Sequence, residues 1–153
     1  MSRTGGFMRR AIRERNILFL CEDNAYLSQV ADAVAKYLGP PKTRIFSAGV
    51  KPQSIPPHVY KLMEELGINI SGQSPKGLSD VPLNEIDLVV SFGDAHKKCG
   101  PLPVKAKVEH WPTMKLEPPS STDEPKLTRH RQERDEIDKR VFALFMDYWR
   151  NVA

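Results

Sequence analysis

Two hydrophobic patterns alternate along the chain: short apolar runs, and stretches in which apolar residues recur every three or four positions. The apolar runs predict β-strands, because a strand that is buried on both faces is apolar throughout. We predict four strands, at Asn16–Leu20, Thr43–Ser47, Ile86–Ser91 and, as a less regular run, Lys105–Glu109.

The helical spacing predicts three helices. They are expected from Asn24 or Ser28 to about Leu38, from Pro56-Pro57 to about Gly67, and as a long last helix that begins at a cap formed by Ser121 or Thr122. The apolar stripe of the last helix consists of Leu127, Ile137, Val141, Leu144, Phe145 and Tyr148. A short helical turn is expected at Ser74–Leu78, and a proline-containing loop at residues 111–124.

Strands that alternate with helices predict an α/β fold, a three-layer sandwich in which helices cover both faces of a four-stranded parallel sheet. Ligand sites in such sheets form at the carboxyl ends of the strands. The loops that matter for function therefore follow Leu20, Ser47, Ser91 and Glu109.

The first of these loops, residues 21–28, carries a cysteine between an apolar strand and a helix, in the order Cys21, Glu22, Asp23, Asn24, Ala25, Tyr26, Leu27, Ser28. Thiolates are favoured near a helix N-terminus, so Cys21 is a candidate nucleophile at an anion site. The alternative is a cysteine that is simply a small buried side chain. Glu22 and Asp23 should repel an anion and raise the pKa of Cys21, unless both side chains point to water.

The net charge of +4 resides at the start of the chain, because residues 1–15 contain five arginines and one glutamate while the remainder is balanced. We expect residues 1–15 to be a basic, flexible extension and residues 16–153 to be one domain. A nucleic-acid partner is not expected, although weak contact of this extension with nucleic acid or an acidic partner is the alternative.

The lengths of the apolar runs and the spacing of cysteines and histidines exclude several other classes of protein. No apolar run reaches the length of a membrane span and the start has no apolar signal region, so we expect a cytoplasmic protein without membrane contact. Two distant cysteines do not make a disulfide framework. His96, Cys99 and His110 lack the tight spacing of a metal site, so neither a metal nor another cofactor is predicted.

Motifs in five parts of the chain point to one family. Residues 21–28 resemble the pattern C-x5-R-S/T, with Leu27 at the arginine position; Ser47-Ala48-Gly49 matches the second loop, and residues 63–74 match the next helix end and turn. Residues 92–101 resemble the loop C-G-N-A-D-x-x-C-P, and His110-Trp111 with Glu117-Pro118 resembles H-W…D-P. From about Asn16 to the last helix the chain thus resembles the superfamily of low-molecular-weight protein tyrosine phosphatases and thioredoxin-coupled arsenate reductases. This resemblance implies a flavodoxin-like fold of the phosphotyrosine protein phosphatase I type.

The resemblance also implies roles for individual residues. Cys21 stands at the position of the nucleophile, Asn24 at that of the residue that shapes the loop, and Ser28 at that of the hydroxyl that donates to the sulfur. Glu117 is the counterpart of the general acid, an aspartate in the family, with Asp123 as a second candidate. Leu27 replaces the phosphate-binding arginine.

The reductases use three cysteines, of which Phe92 replaces the second and Cys99 keeps the third. We therefore interpret the chain as a degenerate member, catalytically weak or inactive, that binds a small anion, a phosphoprotein or an unknown protein partner at the first loop. One alternative is an active or slow cysteine-dependent phosphatase that uses Cys21 and Glu117. The other is a thiol redox sensor in which Cys21 and Cys99 form a disulfide.

Overall fold

The computed structural model describes residues 15–39, 41–120 and 122–152, with side chains as far as residue 147. Four strands form one sheet in the order β2-β1-β3-β4, and all three neighbouring pairs are parallel. The predicted four-stranded parallel sheet is therefore confirmed. The strands are β1 (Arg15–Cys21), β2 (Thr43–Gly49), β3 (Leu88–Phe92) and β4 (Lys107–Trp111).

Helices lie on both faces of the sheet, as the α/β pattern predicts. They are α1 (Leu27–Leu38), α2 (Pro57–Glu64), α3 (Ala95–Lys98) and α4 (Glu124–Val152), with two single-turn 3₁₀ helices at Leu78–Asp80 and Leu83–Glu85. The turn predicted at Ser74–Leu78 is therefore wrong by about one turn. Gly77 instead forms a parallel bridge with Gly49, so the chain before Leu78 is extended.

Helix α1 begins at Leu27, between the two predicted starting residues Asn24 and Ser28. It has no side-chain cap, because Asn24 bonds to Ser28 and Lys76, and Ser28 lies against the Cys21 sulfur. Asp123 caps α4 by accepting the N–H of Lys126 at 3.2 Å, whereas Thr122 was expected to do so. Ser121, the other predicted cap, lies outside the described residues.

The core has two layers because successive residues of β1 point to opposite faces of the sheet. Ile17, Phe19 and Cys21 pack against α1, α2 and α4. Leu18 and Leu20 pack on the other face, against the 3₁₀ segments and the start of α3. Each fully buried aliphatic or aromatic side chain contributes roughly 1.5–3 kcal/mol, so this central strand fixes the sheet between its two layers.

The long last helix closes one of these layers. The part of the predicted stripe that is fully buried consists of Leu127, Ile137, Val141 and Phe145. Leu144 is partly buried, and the Tyr148 side chain lies outside the described residues. None of the helices in the described ranges combines the length and apolar character needed to cross a membrane. Arg15 already belongs to β1, and the rest of the predicted extension, residues 1–14, lies outside the described ranges.

Candidate functional site

The loop after β1 is held tightly against the end of β2. The carbonyls of residues 21–23 accept N–H groups from residues 50–53 at 2.7–3.1 Å. Gly49 lies against the loop so closely that a Cβ there would stand 2.6 Å from the backbone nitrogen of Asn24. The loop is therefore attached to the sheet through its backbone, and its shape depends on a glycine at the end of β2.

Asn24 is the centre of the loop's hydrogen bonds and is fully buried, with a left-handed φ of 50°. Its Oδ1 accepts the backbone N–H of Lys76 at 2.7 Å, and its Nδ2 donates to Ser28 Oγ at 2.7 Å. The backbone donor fixes the orientation of the amide, because only the oxygen can accept it. Gln29 adds a second support, since its Nε2 donates to the Asn24 carbonyl at 2.9 Å and to the Ser74 carbonyl at 3.0 Å.

Cys21 lies at the bottom of this loop with 3% of its surface exposed. Its Sγ accepts the N–H of Asn24 at 3.2 Å and lies 2.9 Å from Ser28 Oγ. Because Ser28 Oγ already accepts from Asn24 Nδ2, its own hydrogen is free to donate to the sulfur. Burial and the neighbouring Asp23 carboxylate raise the pKa of the Cys21 thiol, although the bonds from Ser28 and Asn24 act in the opposite direction.

The two acids of the loop differ in position. Glu22 is exposed, and its carboxylate lies 3.5 Å from Lys98 Nζ. Asp23 turns inward: its Oδ1 accepts the N–H of Ala25 at 3.0 Å and lies 3.6 Å from Cys21 Sγ. The alternative, in which both acids point to water, therefore holds for Glu22 only. A carboxylate oxygen of the loop itself occupies one of the N–H donors beside the thiol.

Tyr26 and Leu27 are partly buried and pack against the hydrophobic core. Leu27 is partly buried against the hydrophobic layer, so the site has an apolar side chain at the arginine position. The Tyr26 hydroxyl donates to the His130 carbonyl at 3.0 Å, and its ring centroid lies 5.5 Å from that of His130 and 6.1 Å from that of His58. Burial and the Glu133 carboxylate raise the pKa of Tyr26, so its hydroxyl remains a neutral donor.

The candidate general acids both contact α4. Glu117 is 81% exposed and lies 3.3 Å from Lys126 Nζ. Asp123 caps the helix through the N–H of Lys126. In this arrangement the Glu117 carboxylate is paired with a lysine, and delivery of a proton at Cys21 would require it to leave that pair.

The two cysteines are both free and pack against opposite layers of the sheet. Cys21 belongs to the layer of α1 and α4, whereas Cys99 is partly buried against the layer of Leu18 and Leu20. Phe92, at the position of the second reductase cysteine, is buried with its ring edge-on to Trp111 at 5.7 Å.

The histidines near the site are held by protein groups. His96 Nδ1 lies 2.8 Å from Ser91 Oγ, and its ring centroid is 5.8 Å from that of His110. Within the described ranges no three His, Cys, Asp or Glu side chains are placed to hold a metal ion.

Two glutamines that support the first loop, and a glutamate that holds the backbone at Met114, were not expected from the sequence. Gln29 and Gln73 are joined by a bond of 2.6 Å from Gln73 Nε2 to Gln29 Oε1, and Glu133 is buried. A polar residue among the apolar positions of α1 was the available signal for Gln29. Glu133 gave no such signal, because its role depends on the folding of residues 112–120 over α4.

A parallel sheet whose central strand ends in a cysteine loop, closed onto a helix, defines the phosphatase and arsenate reductase class of α/β proteins. Residues 16–150 match the family described as low molecular weight phosphotyrosine protein phosphatase, and the chain belongs to that family. The family and fold predicted from the motifs are therefore confirmed.

The chain is similar in sequence to arsenate reductases and shares its fold with a phosphatase. Arsenate reductase from Bacillus subtilis (strain 168) is 39% identical over 127 residues, which span 82% of this chain and 91% of that protein. A solved arsenate reductase in the phosphate-binding state is 29% identical, with a TM-score of 0.68 over 88% of this chain and 98% of that one. A low-molecular-weight protein tyrosine phosphatase from T. tengcongensis, 21% identical, shares the fold with a TM-score of 0.70 over 88% and 99% of the two chains.

Proposed function

We propose that this family member binds a ligand or a protein partner at its first loop and catalyses little or no turnover. The reason is that a carboxylate of the loop itself, that of Asp23, occupies one of the loop's N–H donors. The observation that carries the proposal is the position of Asp23. Its Oδ1 accepts the Ala25 N–H at 3.0 Å and lies 3.6 Å from the Cys21 sulfur. An incoming oxyanion would have to displace this carboxylate before it could reach the loop donors and the thiol.

The electrostatic balance of the loop also opposes phosphoryl transfer. A bidentate arginine would hold two phosphoryl oxygens, and Leu27 offers no donor at that position. Loss of one preorganised donor costs roughly 10²–10³ in rate. Two unit charges about 4 Å apart repel by about 4 kcal/mol at an effective dielectric of 20, so Asp23 weakens binding of a dianion further.

The raised pKa of Cys21 acts in the same direction. Burial and Asp23 keep the thiol protonated over a wider pH range than in an ordinary cysteine. The population of the thiolate, which is the nucleophile, is therefore reduced at neutral pH.

The position of Asp23 also limits which partner can bind. A small anion or a phosphoprotein can enter this loop only when Asp23 releases the Ala25 N–H, so a partner without a phosphate dianion is the better fit.

The test is hydrolysis of p-nitrophenyl phosphate between pH 5 and 7 by four proteins: the native chain, Cys21→Ser, Leu27→Arg, and Leu27→Arg combined with Asp23→Asn. We expect no turnover by the native chain above the Cys21→Ser background. The double variant should gain turnover, because it restores the clamp and removes the negative charge beside the thiol. Native turnover that disappears in Cys21→Ser would overturn the proposal.

A second candidate is a slow cysteine-dependent phosphatase with Cys21 as nucleophile and Glu117 as general acid. The bonds from Asn24 and Ser28 to the Cys21 sulfur, at 3.2 and 2.9 Å, favour it, because they would stabilise a thiolate. Under this alternative, native turnover is small, requires Cys21, and falls in Glu117→Gln. Comparison of Glu117→Gln with the exposed Glu64→Gln separates a proton donor from a general change of surface charge.

A further inference from the structure

A cavity of about 350 Å³ lies between residues 114–117 and the first two turns of α4. Its walls carry the cationic side chains of Lys115, Lys126 and Arg129 and one carboxylate, that of Glu117. Leaving His130 neutral, three cations and one carboxylate give the cavity two positive charges. A concave site of this charge concentrates anions from solution.

We propose that this cavity is a second binding site, distinct from the first loop, and that it takes a small organic phosphate. A phosphate monoester carries a charge of about −1.5 to −2 at pH 7, which matches the excess charge of the walls. The cavity is more than ten times the roughly 30 Å³ that one water molecule occupies, so it accommodates an organic group as well as a phosphate. Met114 and Leu116 supply apolar wall for that group.

Two of the cations are not committed elsewhere. Within the described part of the chain, neither Arg129 nor Lys115 has an ion pair or a side-chain hydrogen bond, and both are exposed. Lys126 is shared between Glu117 at 3.3 Å and Asp123 at 3.8 Å, and Asp123 does not line the cavity. An arginine with all its donors available can bind a phosphate in bidentate fashion, which a lysine cannot do.

The wall formed by residues 114–117 is held in a defined position. The N–H of Met114 donates to the buried Glu133 carboxylate at 2.8 Å. Lys115 adopts a left-handed φ of 51°, an uncommon conformation for a residue with a side chain. Such backbone conformations persist only where the surrounding structure enforces them, and they cluster at binding sites.

His130 joins this cavity to the first loop. It lines the cavity, and the Tyr26 hydroxyl donates to its backbone carbonyl at 3.0 Å. A ligand in the cavity would therefore contact the residue on which the end of the first loop rests. The inference does not depend on the proposed function, since it requires neither turnover nor binding at Cys21.

To test this, the full chain is titrated separately with phenyl phosphate, inorganic phosphate and benzoate. Binding is measured by calorimetry and by ¹H–¹⁵N NMR. We expect saturable binding of phenyl phosphate, weaker binding of inorganic phosphate, and still weaker binding of the singly charged benzoate. The amide shifts should centre on residues 114–117 and 126–130. Arg129→Gln should weaken the affinity for phenyl phosphate about tenfold or more, and Lys115→Gln should weaken it to a lesser extent.

Lys139→Gln is the matched control, because Lys139 is an exposed lysine on the same helix that does not line the cavity. Its affinity should stay within about twofold of the native chain. Three results would overturn the proposal: no saturable binding at millimolar phenyl phosphate, equal weakening by Lys139→Gln, or amide shifts centred on residues 21–28. The p-nitrophenyl phosphate assay decides the proposed function separately, because it reports turnover at Cys21 and not binding at Arg129.

Discussion

Gly49 lies against Asn24 so closely that a β-carbon on Gly49 would be 2.6 Å from the Asn24 nitrogen and 2.7 Å from the Asp23 carbonyl carbon. Real Cβ atoms do not approach backbone at this distance, so any side chain at position 49 must push the loop away from β2. The same loop carries the bonds to the Cys21 sulfur. The end of β2 therefore controls the geometry of the site at the end of β1.

Gly49→Ala should destabilise the fold by about 1–3 kcal/mol, because the added carbon overpacks a contact between two backbones. The free energy of unfolding is measured by urea titration, with circular dichroism as the probe. Gly72→Ala is the matched control, since a Cβ at Gly72 meets nothing within 4 Å. Equal stability of the two variants would mean that the loop moves freely away from β2.

Asp23→Asn should lower the pKa of the Cys21 thiol. The native pKa is raised first by burial and then by the Asp23 charge, so the variant keeps the first cause and loses the second. The measurement is thiolate absorbance near 240 nm as a function of pH, with Cys99→Ser as background so that only Cys21 titrates. Glu22→Gln, which neutralises the exposed neighbouring acid, should have the smaller effect. An unchanged pKa in Asp23→Asn would contradict the inward position of that carboxylate.

Glu65 should contribute to stability above its unfolded pKa, and the contribution should be lost as the pH falls through its folded value. Bonds from Arg131 and Arg134 lower the pKa of this carboxylate below its ordinary value of 4.5. The unfolded chain therefore binds the proton first as the pH falls, and the native ion pair is lost at still lower pH. We expect the free energy of unfolding of the native chain to decrease below about pH 4.5, and that of Glu65→Gln to decrease less over the same range.

At neutral pH, Glu65→Gln should lower the free energy of unfolding by about 1 kcal/mol. The effect is small because solvent partly screens the Glu65 carboxylate. The cost arises at Arg134, whose buried guanidinium donates to Glu65 at 2.7 Å and to the Leu62 carbonyl at 2.8 Å. Glu85→Gln is the control, because the pair of Glu85 with Arg44 is exposed on both sides. Urea unfolding at pH 7 and at pH 4 measures both effects.

Mild peroxide should leave Cys21 and Cys99 unlinked in the native chain, because the two thiols pack against opposite layers of the sheet. Peptide mass spectrometry under non-reducing conditions makes the measurement, and the same treatment in urea supplies a control in which the chain is free to link. A native Cys21–Cys99 peptide, with the loss of 2 Da expected from forming one disulfide, would instead support the redox-sensor alternative.

Much of the fold could be predicted from hydrophobic spacing. The strands of the sheet, the apolar stripe of α4 and the placement of Cys21 at a strand end depend on periodicity and on local chain order, both of which are present in the sequence. Helix starts were less predictable. Asn24 and Ser28 are good capping residues, but their side chains bond to each other at 2.7 Å inside the loop. Tertiary partners therefore overrode the local preference for a cap.

Residue identity and spacing are enough to predict the family, the parallel sheet and the replacement of the arginine by Leu27. The positions of the charges depend instead on how the chain folds. Glu22 and Asp23 are adjacent acids, yet one is exposed beside Lys98 and the other turns onto the Ala25 N–H next to the thiol. Likewise, Lys115 and Arg129 are separated in sequence and meet at one cavity only because residues 112–120 fold back over α4. Electrostatics depends on distance and burial, and neither can be read from the order of residues alone.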